Sequence, residues 1–229
     1  QPSQLVQDAQ RHGARILPVD VTASTWDCTL EPAPLPTGPA SPPGPPGCEK
    51  DPVALRLGMR EIRGLSQELA TRIVAARGEA PFRDVADLAC RARVTGSERA
   101  RLADAGALQS LSGHRHRARW DSAGAELPVP VLAAATIREE AVALRPPLLR
   151  EDVMADYATL GLSLRQHPLA LLRDELDRRR VSPASAAADA ANRGRALRCA
   201  GLVTVRQHPG TAKGVTFVTL EDETGQVNV

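Results

Sequence analysis

Five consecutive residues, Ile62-Arg63-Gly64-Leu65-Ser66, have the types and spacing to hold an anion. A glycine at a tight corner removes the Cβ clash and lets backbone N–H groups approach a phosphate. A helix beginning just beyond it would aim the positive end of its dipole at the same place. Arg60 and Arg63 are placed to add charge-assisted contacts. Such contacts touch only the sugar–phosphate backbone, so binding through them ignores base sequence and weakens with salt. A plain helical hairpin with a structural glycine explains the same five residues, and Gly64 alone does not choose between the two.

Ala105-Gly106-Ala107 repeats the arrangement, glycine again falling between a helix and a following helix. Two corners are expected to grip both backbones across one groove. Close behind lies His114-Arg115-His116-Arg117-Ala118-Arg119, a compact basic run at an expected helix start. Arg115 and Arg117 are its candidate phosphate contacts; a solvated helix face is the competing explanation.

A third signal lies near residue 229. Ala196–Gln207 and Val215–Leu220 are β-branched runs joined by the turn-rich stretch 208–214. Glu221–Gly225 is expected as a tight, solvated turn, and Gln226–Val229 as the start of a third strand. The order resembles the opening of an OB-fold, a barrel that binds single strands through a basic groove and stacked aromatics. Arg198, Arg206 and Lys213 are its candidate backbone contacts. Phe217 is the only aromatic there, so weak single-strand binding is expected.

Catalytic patterns are missing. Nucleotidyl transfer needs clustered carboxylates holding two metals, and no Asp-x-Asp pair occurs. Lyase-type glycosylases need a Lys nucleophile beside the hairpin, whereas Lys50 and Lys213 are far from it in sequence. There is no phosphate-loop motif and no zinc-ligand spacing. The site is expected to contain no catalytic residue and no metal ligand.

Composition sets the frame. The apolar residues are mostly Ala, Leu and Val with 2% aromatics, which suits many small helices better than a large sandwich core. Net charge is only +2, but residues 52–127 hold 13 Arg against 9 acids. A GC-rich genome would produce the same Arg, Ala, Gly and Pro bias. Cys28, Cys48, Cys90 and Cys199 are scattered and read as reduced thiols of a cytoplasmic protein. No apolar run approaches the roughly 20 residues of a membrane span.

The elements that must position these residues follow from periodicity and punctuation. A helix is expected over 3–13, ended by Gly13, then an extended segment over 15–21. Eight prolines between Glu31 and Cys48 mark a linker. Helices are expected over 53–62 and 67–77, then 84–93 and 97–105 with Ser97 as N-cap, then 113–123. Residues 128–150 look like a tether, and 151–179 like helix interrupted at His167-Pro168.

Taken in order, several stretches resemble one family. Gln10-Arg11-His12-Gly13, Pro18–Val21 and Trp26–Glu31 resemble the end of the fingers region in error-prone members of the bacterial C-family DNA polymerases, the polymerase III alpha type. Val53–Ser66, Pro81–Asp84, Asp87-Leu88 and Gly106-Ala107-Leu108 are similar to their tandem helix–hairpin–helix region. Leu160–Leu169 is similar to the linker before their OB domain, and Ala200–Val203 with Leu220–Gly225 to its opening. The resemblance implies a mainly α fold, a tandem helix–hairpin–helix domain followed by a truncated OB-fold. It divides the chain into the end of the fingers (1–31), a Pro-rich linker (32–50), the hairpin domain (51–123), a helical linker (124–194) and a partial OB-fold (195–229). It implies DNA-directed DNA synthesis in damage tolerance, with the catalytic palm and its magnesium in other parts of the polymerase, and no cofactor in this chain. Expected partners are double-stranded DNA, with single-stranded template left open, and accessory mutagenesis proteins and the sliding clamp indirectly. A free-standing DNA-binding module and an accessory-protein docking module are the alternatives.

Overall fold

The computed structural model describes residues 2–33, 53–125, 142–210 and 214–229. Most of the Pro-rich linker, much of the expected tether and Lys213 lie outside them. The chain divides into two units, Gln1–Leu164 and Arg165–Val229. The stretch expected as a linker, 124–194, is shared between the two.

In the first unit α1 (Pro2–Arg11) leads to Gly13, whose φ of +82° turns the chain into β1 (Arg15–Leu17). β2 (Thr29–Pro32) and β3 (Val53–Arg56) complete a small mixed sheet of order β1-β3-β2. β3 runs parallel to β1, with Arg15 opposite Ala54, and antiparallel to β2, with Thr29 opposite Arg56. The helix expected over 53–62 is therefore corrected to this strand followed by a 3-10 turn at Met59–Glu61. Gly58 shows why: a Cβ there would stand 2.4 Å from the Trp26 carbonyl oxygen, so the backbone lies flat against residues 26–27. Sheet pairing takes the hydrogen bonds that a helix would have used.

α2 (Gln67–Glu79), α3 (Val85–Arg91) and α4 (Gly96–Asp104) each begin at a side-chain cap. Ser66 accepts from the Leu69 amide at 3.2 Å and Asp84 from the Asp87 amide at 2.7 Å. The cap of α4 is Thr95 and not Ser97. Thr95 faces the Glu98 amide while the Glu98 carboxylate accepts from the Thr95 amide at 2.8 Å, a reciprocal capping box. α5 (Gln109–Ser112), α6 (Arg115–Gly124) and α7 (Leu149–Thr159) follow. Leu69 and Ile73 of α2, Leu88 of α3, Leu102 of α4 and Leu108 are fully buried in one core, joined by Leu57 and Met59. Burying such side chains contributes about 1.5–3 kcal/mol each, which offsets the ordering of short helices that would not persist alone.

In the second unit α8 (Arg173–Arg178) and α9 (Ala184–Ala188) accompany an antiparallel sheet of β4 (Leu202–Gln207), β5 (Phe217–Asp222) and β6 (Gly225–Asn228), order β4-β5-β6. The architecture is thus helical with a small β unit. The acidic stretch expected as a solvated turn is corrected: Glu221 and Asp222 end β5 and are buried. Asp222 accepts from the Ala184, Thr224 and Gly225 amides at 2.7, 2.8 and 3.1 Å, and from Arg173 at 3.1 Å. Buried carboxylates need such partners.

Candidate nucleic-acid interface

At the first corner Ile62 and Leu65 are buried while Arg63, Gly64 and Ser66 stay exposed. The two apolar side chains anchor the loop and leave its backbone outside. Gly64 has φ +74°, a left-handed conformation that side chains oppose. Among the described residues no acceptor is bonded to the amides of Gly64, Ser66, Gln67 or Glu68, exposed residues at the corner and the start of the 13-residue α2. Uncommitted amides at a helix start are anion donors.

The candidate arginines divide. Arg60 is exposed and paired with Asp27 at 2.6 Å. The Arg63 amide donates to the Thr159 carbonyl at 2.9 Å and its Nη1 to the Ala158 carbonyl at 3.1 Å. Arg63 therefore tethers the corner to the end of α7 while remaining exposed. Arg101, which sequence reasoning missed, donates from Nη1 to the Gly64 carbonyl at 2.9 Å. No local signal marks it, because it comes from α4 and meets Gly64 only in the folded chain.

The second corner differs from the first. Gly106 also has φ +74°, but its amide donates to the Ala103 carbonyl at 3.0 Å, and the Ala107 amide to the Leu102 carbonyl at 2.9 Å. This is a Schellman close of α4, with glycine at the position that requires the left-handed conformation. Ala105 and Ala107 are buried, and the Ala107 carbonyl accepts from the Val21 amide. Ala105, Gly106 and Ala107 thus form a helix terminator packed on the N-terminal segment.

Arg115 is likewise engaged within the fold. Its side chain is 4% exposed, and it forks onto Asp152 and Asp156 of α7. Arg117 pairs with Asp121 at 2.8 Å and Arg119 with Asp104. His114 caps α6, accepting from the Arg117 amide at 3.1 Å. The basic run is largely neutralised. From residue 53 to 125 the exposed arginines without a carboxylate partner among the described residues are Arg63, Arg93 and Arg101. Two of these three flank Gly64.

On the β unit, Arg206 is opposite Val218 and Gln207 opposite Phe217. Opposed residues share a face and successive residues alternate. Arg206 and the half-exposed Phe217 therefore project to opposite faces. Arg198 is exposed, 3.5 Å from the Arg179 carbonyl.

Comparison with known proteins agrees with this geometry. Residues 13–118 match the family model of the helix-hairpin-helix motif. All 229 residues align at 52% identity with an error-prone DNA polymerase of Pseudomonas fluorescens strain Pf-5, covering 22% of that protein. The whole chain also aligns at 49% with the error-prone DNA polymerase of Methylococcus capsulatus, 22% of its length, and at 50% with that of Aromatoleum aromaticum, 20% of its length. This chain thus resembles error-prone DNA polymerases from its first residue to its last, over a stretch about one-fifth as long as those relatives.

Proposed function

We propose that this chain is the part of an error-prone DNA polymerase that holds duplex DNA by its backbone, without reading sequence, while other parts of the enzyme carry out synthesis across damaged template. The observation that carries it is the first corner: uncommitted amides at Gly64, Ser66 and the start of α2, flanked by two unneutralised arginines, within a helix-hairpin-helix match. Such a corner fits a phosphate and offers nothing to base edges.

Catalysis belongs elsewhere in this proposal. Among the described residues no cluster of three or more His, Cys, Asp or Glu is arranged to hold a metal. Asp152 and Asp156 are already engaged by Arg115, and Asp222 by three amides and Arg173. They do not fit the magnesium that two-metal nucleotidyl transfer uses. The three-stranded sheet is proposed as the opening of an OB barrel with a minor role on single-stranded template. Accessory mutagenesis proteins, and the clamp through them, are proposed to deliver the enzyme.

The test is Gly64→Val. Fluorescence anisotropy with duplexes of unrelated sequence should show equal loss of affinity on all of them, and steep salt dependence in the unsubstituted chain. Unchanged affinity in about 50 mM salt refutes the proposal.

A further inference from the structure

We propose that Arg101 is itself a phosphate ligand of the Gly64 corner, lent to it by α4. This rests on the duplex-binding function above and adds a contact from outside the motif that forms the corner. The Arg101 guanidinium lies over Gly64: where a Gly64 Cβ would stand, Nε and Cζ are 3.6 and 3.7 Å away. Nη1 donates to the Gly64 carbonyl, using one of the five N–H donors of a guanidinium. Among the described residues no other acceptor and no carboxylate engages Arg101, and the side chain is exposed. Neighbouring arginines on α2, α4 and α6 are spent differently: Arg72 on the Ala92 carbonyl and Glu98, Arg99 in the core on the Val94 and Ser122 carbonyls, Arg119 on Asp104.

The anchor on Gly64 matters chemically. It holds the planar fork beside the uncommitted amides, so less freedom is lost when the remaining donors take a phosphate oxygen. Phosphate and guanidinium match in a bidentate geometry that ammonium lacks. The corner also holds an opposing group, since Glu68 is an exposed acid in the first turn of α2. A guanidinium beside the amides counters that charge. Because the amides of Gly106 and Ala107 are consumed by α4, the second motif contributes to the grip through Arg101 and not through its own glycine.

The 229-residue chain, Arg101→Ala, Arg101→Gln and Arg101→Lys are titrated with a fluorescein-labelled duplex across salt concentrations, with thermal melting of each as a folding control. Arg101→Ala and Arg101→Gln should bind about tenfold more weakly at low salt, as loss of a charge-assisted bond implies. Their slope of log K against log salt should be shallower by about 1. Arg101→Lys should keep the slope and lose part of the affinity. Gln retains a donor for the Gly64 carbonyl, so a merely structural role predicts normal slope and affinity for Gln; that result overturns the proposal. Equal slopes for Ala and the unsubstituted chain, with equal melting, also overturn it while leaving duplex binding intact. No binding by the unsubstituted chain overturns the duplex-binding function itself. Preference for the single strand over the duplex overturns both.

Discussion

Arg115 Nη2 donates to Asp156 Oδ1 at 2.6 Å in a nearly dry contact, while Nη1 of the same guanidinium meets Asp152. One side chain of α6 thus holds two carboxylates of α7 that stand one helical turn apart. Removing it leaves two buried acids without their cation, at a cost of about 3–5 kcal/mol. Arg115→Ala should unfold at much lower urea than Arg117→Ala, whose half-exposed pair with Asp121 is worth at most about 0.5 kcal/mol. Equal midpoints for the two variants would show that α7 is held by something else.

Two glycines should respond to alanine with opposite signs. Gly58 is pressed against the main chain of Trp26 and Asp27, with 2.4–2.7 Å to the nearest atoms, so a methyl group forces the sheet and the 3-10 turn apart. Gly58→Ala is expected to cost several kcal/mol, in the upper range of single substitutions (~4 kcal/mol). Gly78 lies in α2 with nothing within 4 Å of a Cβ, so Gly78→Ala should stabilise by about 0.5–1 kcal/mol through helix propensity. Chemical denaturation of both variants reads the difference.

How much of this was legible beforehand follows from the same positions. The helices over 67–79, 85–91 and 96–104 are marked by apolar periodicity and caps, and they form close to where the sequence puts them. Residues 53–62 misled because Val53-Ala54-Leu55-Arg56 is as compatible with helix as with strand; its partners at 15–17 and 29–32 decide it. Gly64 and Gly106 look alike in sequence and share φ +74°, yet one leaves its amide uncommitted and the other bonds it within its own turn. Arg115, buried and paired, and Arg101, exposed beside Gly64, differ for the same reason. Charge is visible in a sequence, whereas its neutralisation by Asp152 and Asp156, many residues away, is a property of packing.

Arg93 closes α3 at φ +51°, where glycine is the usual residue. The Val94 amide reaches back to the Ala89 carbonyl at 3.0 Å, so the left-handed turn is enforced by its neighbours. Arg93→Gly should relieve the strain and raise stability by about 0.5–1 kcal/mol, the gain reduced by the freer unfolded chain. A fall in melting temperature would show that the Arg93 side chain makes up for its backbone.

Acid should loosen the β unit through Asp222. Burial raises its pKa, but hydrogen bonds from the Thr224 hydroxyl and the Ala184, Thr224 and Gly225 amides outweigh that, and the carboxyl sits below the ordinary aspartate range. A pKa lower in the folded state means the stabilisation is fully present above the unfolded value of about 4 and disappears as pH falls through the folded one. Asp222→Asn should reduce stability at neutral pH and flatten its decline in acid. An unchanged acid limb in tryptophan-independent probes of this unit, such as amide exchange over β5 and β6, would assign the acid sensitivity to other carboxylates.

The two corner glycines separate folding from binding. A Cβ on Gly106 would meet Arg115 Nη2 at 3.1 Å and Gln109 Nε2 at 3.2 Å, at a φ that already strains any side chain. Gly106→Ala therefore disturbs the seat of the Arg115 pair and should cost about 1–3 kcal/mol of stability. Its own amide is already bonded to the Ala103 carbonyl, so duplex affinity per folded molecule should match that of the unsubstituted chain. Gly64→Ala meets only the Arg101 side chain, at 3.6 Å, and carries the same conformational strain. Its melting temperature should fall by a similar or smaller amount while its duplex affinity drops, because twisting the corner turns both the free amides and Arg101 away from phosphate. Titrations corrected for the folded fraction distinguish the two, and equal losses of affinity would restore the second corner as a grip on DNA.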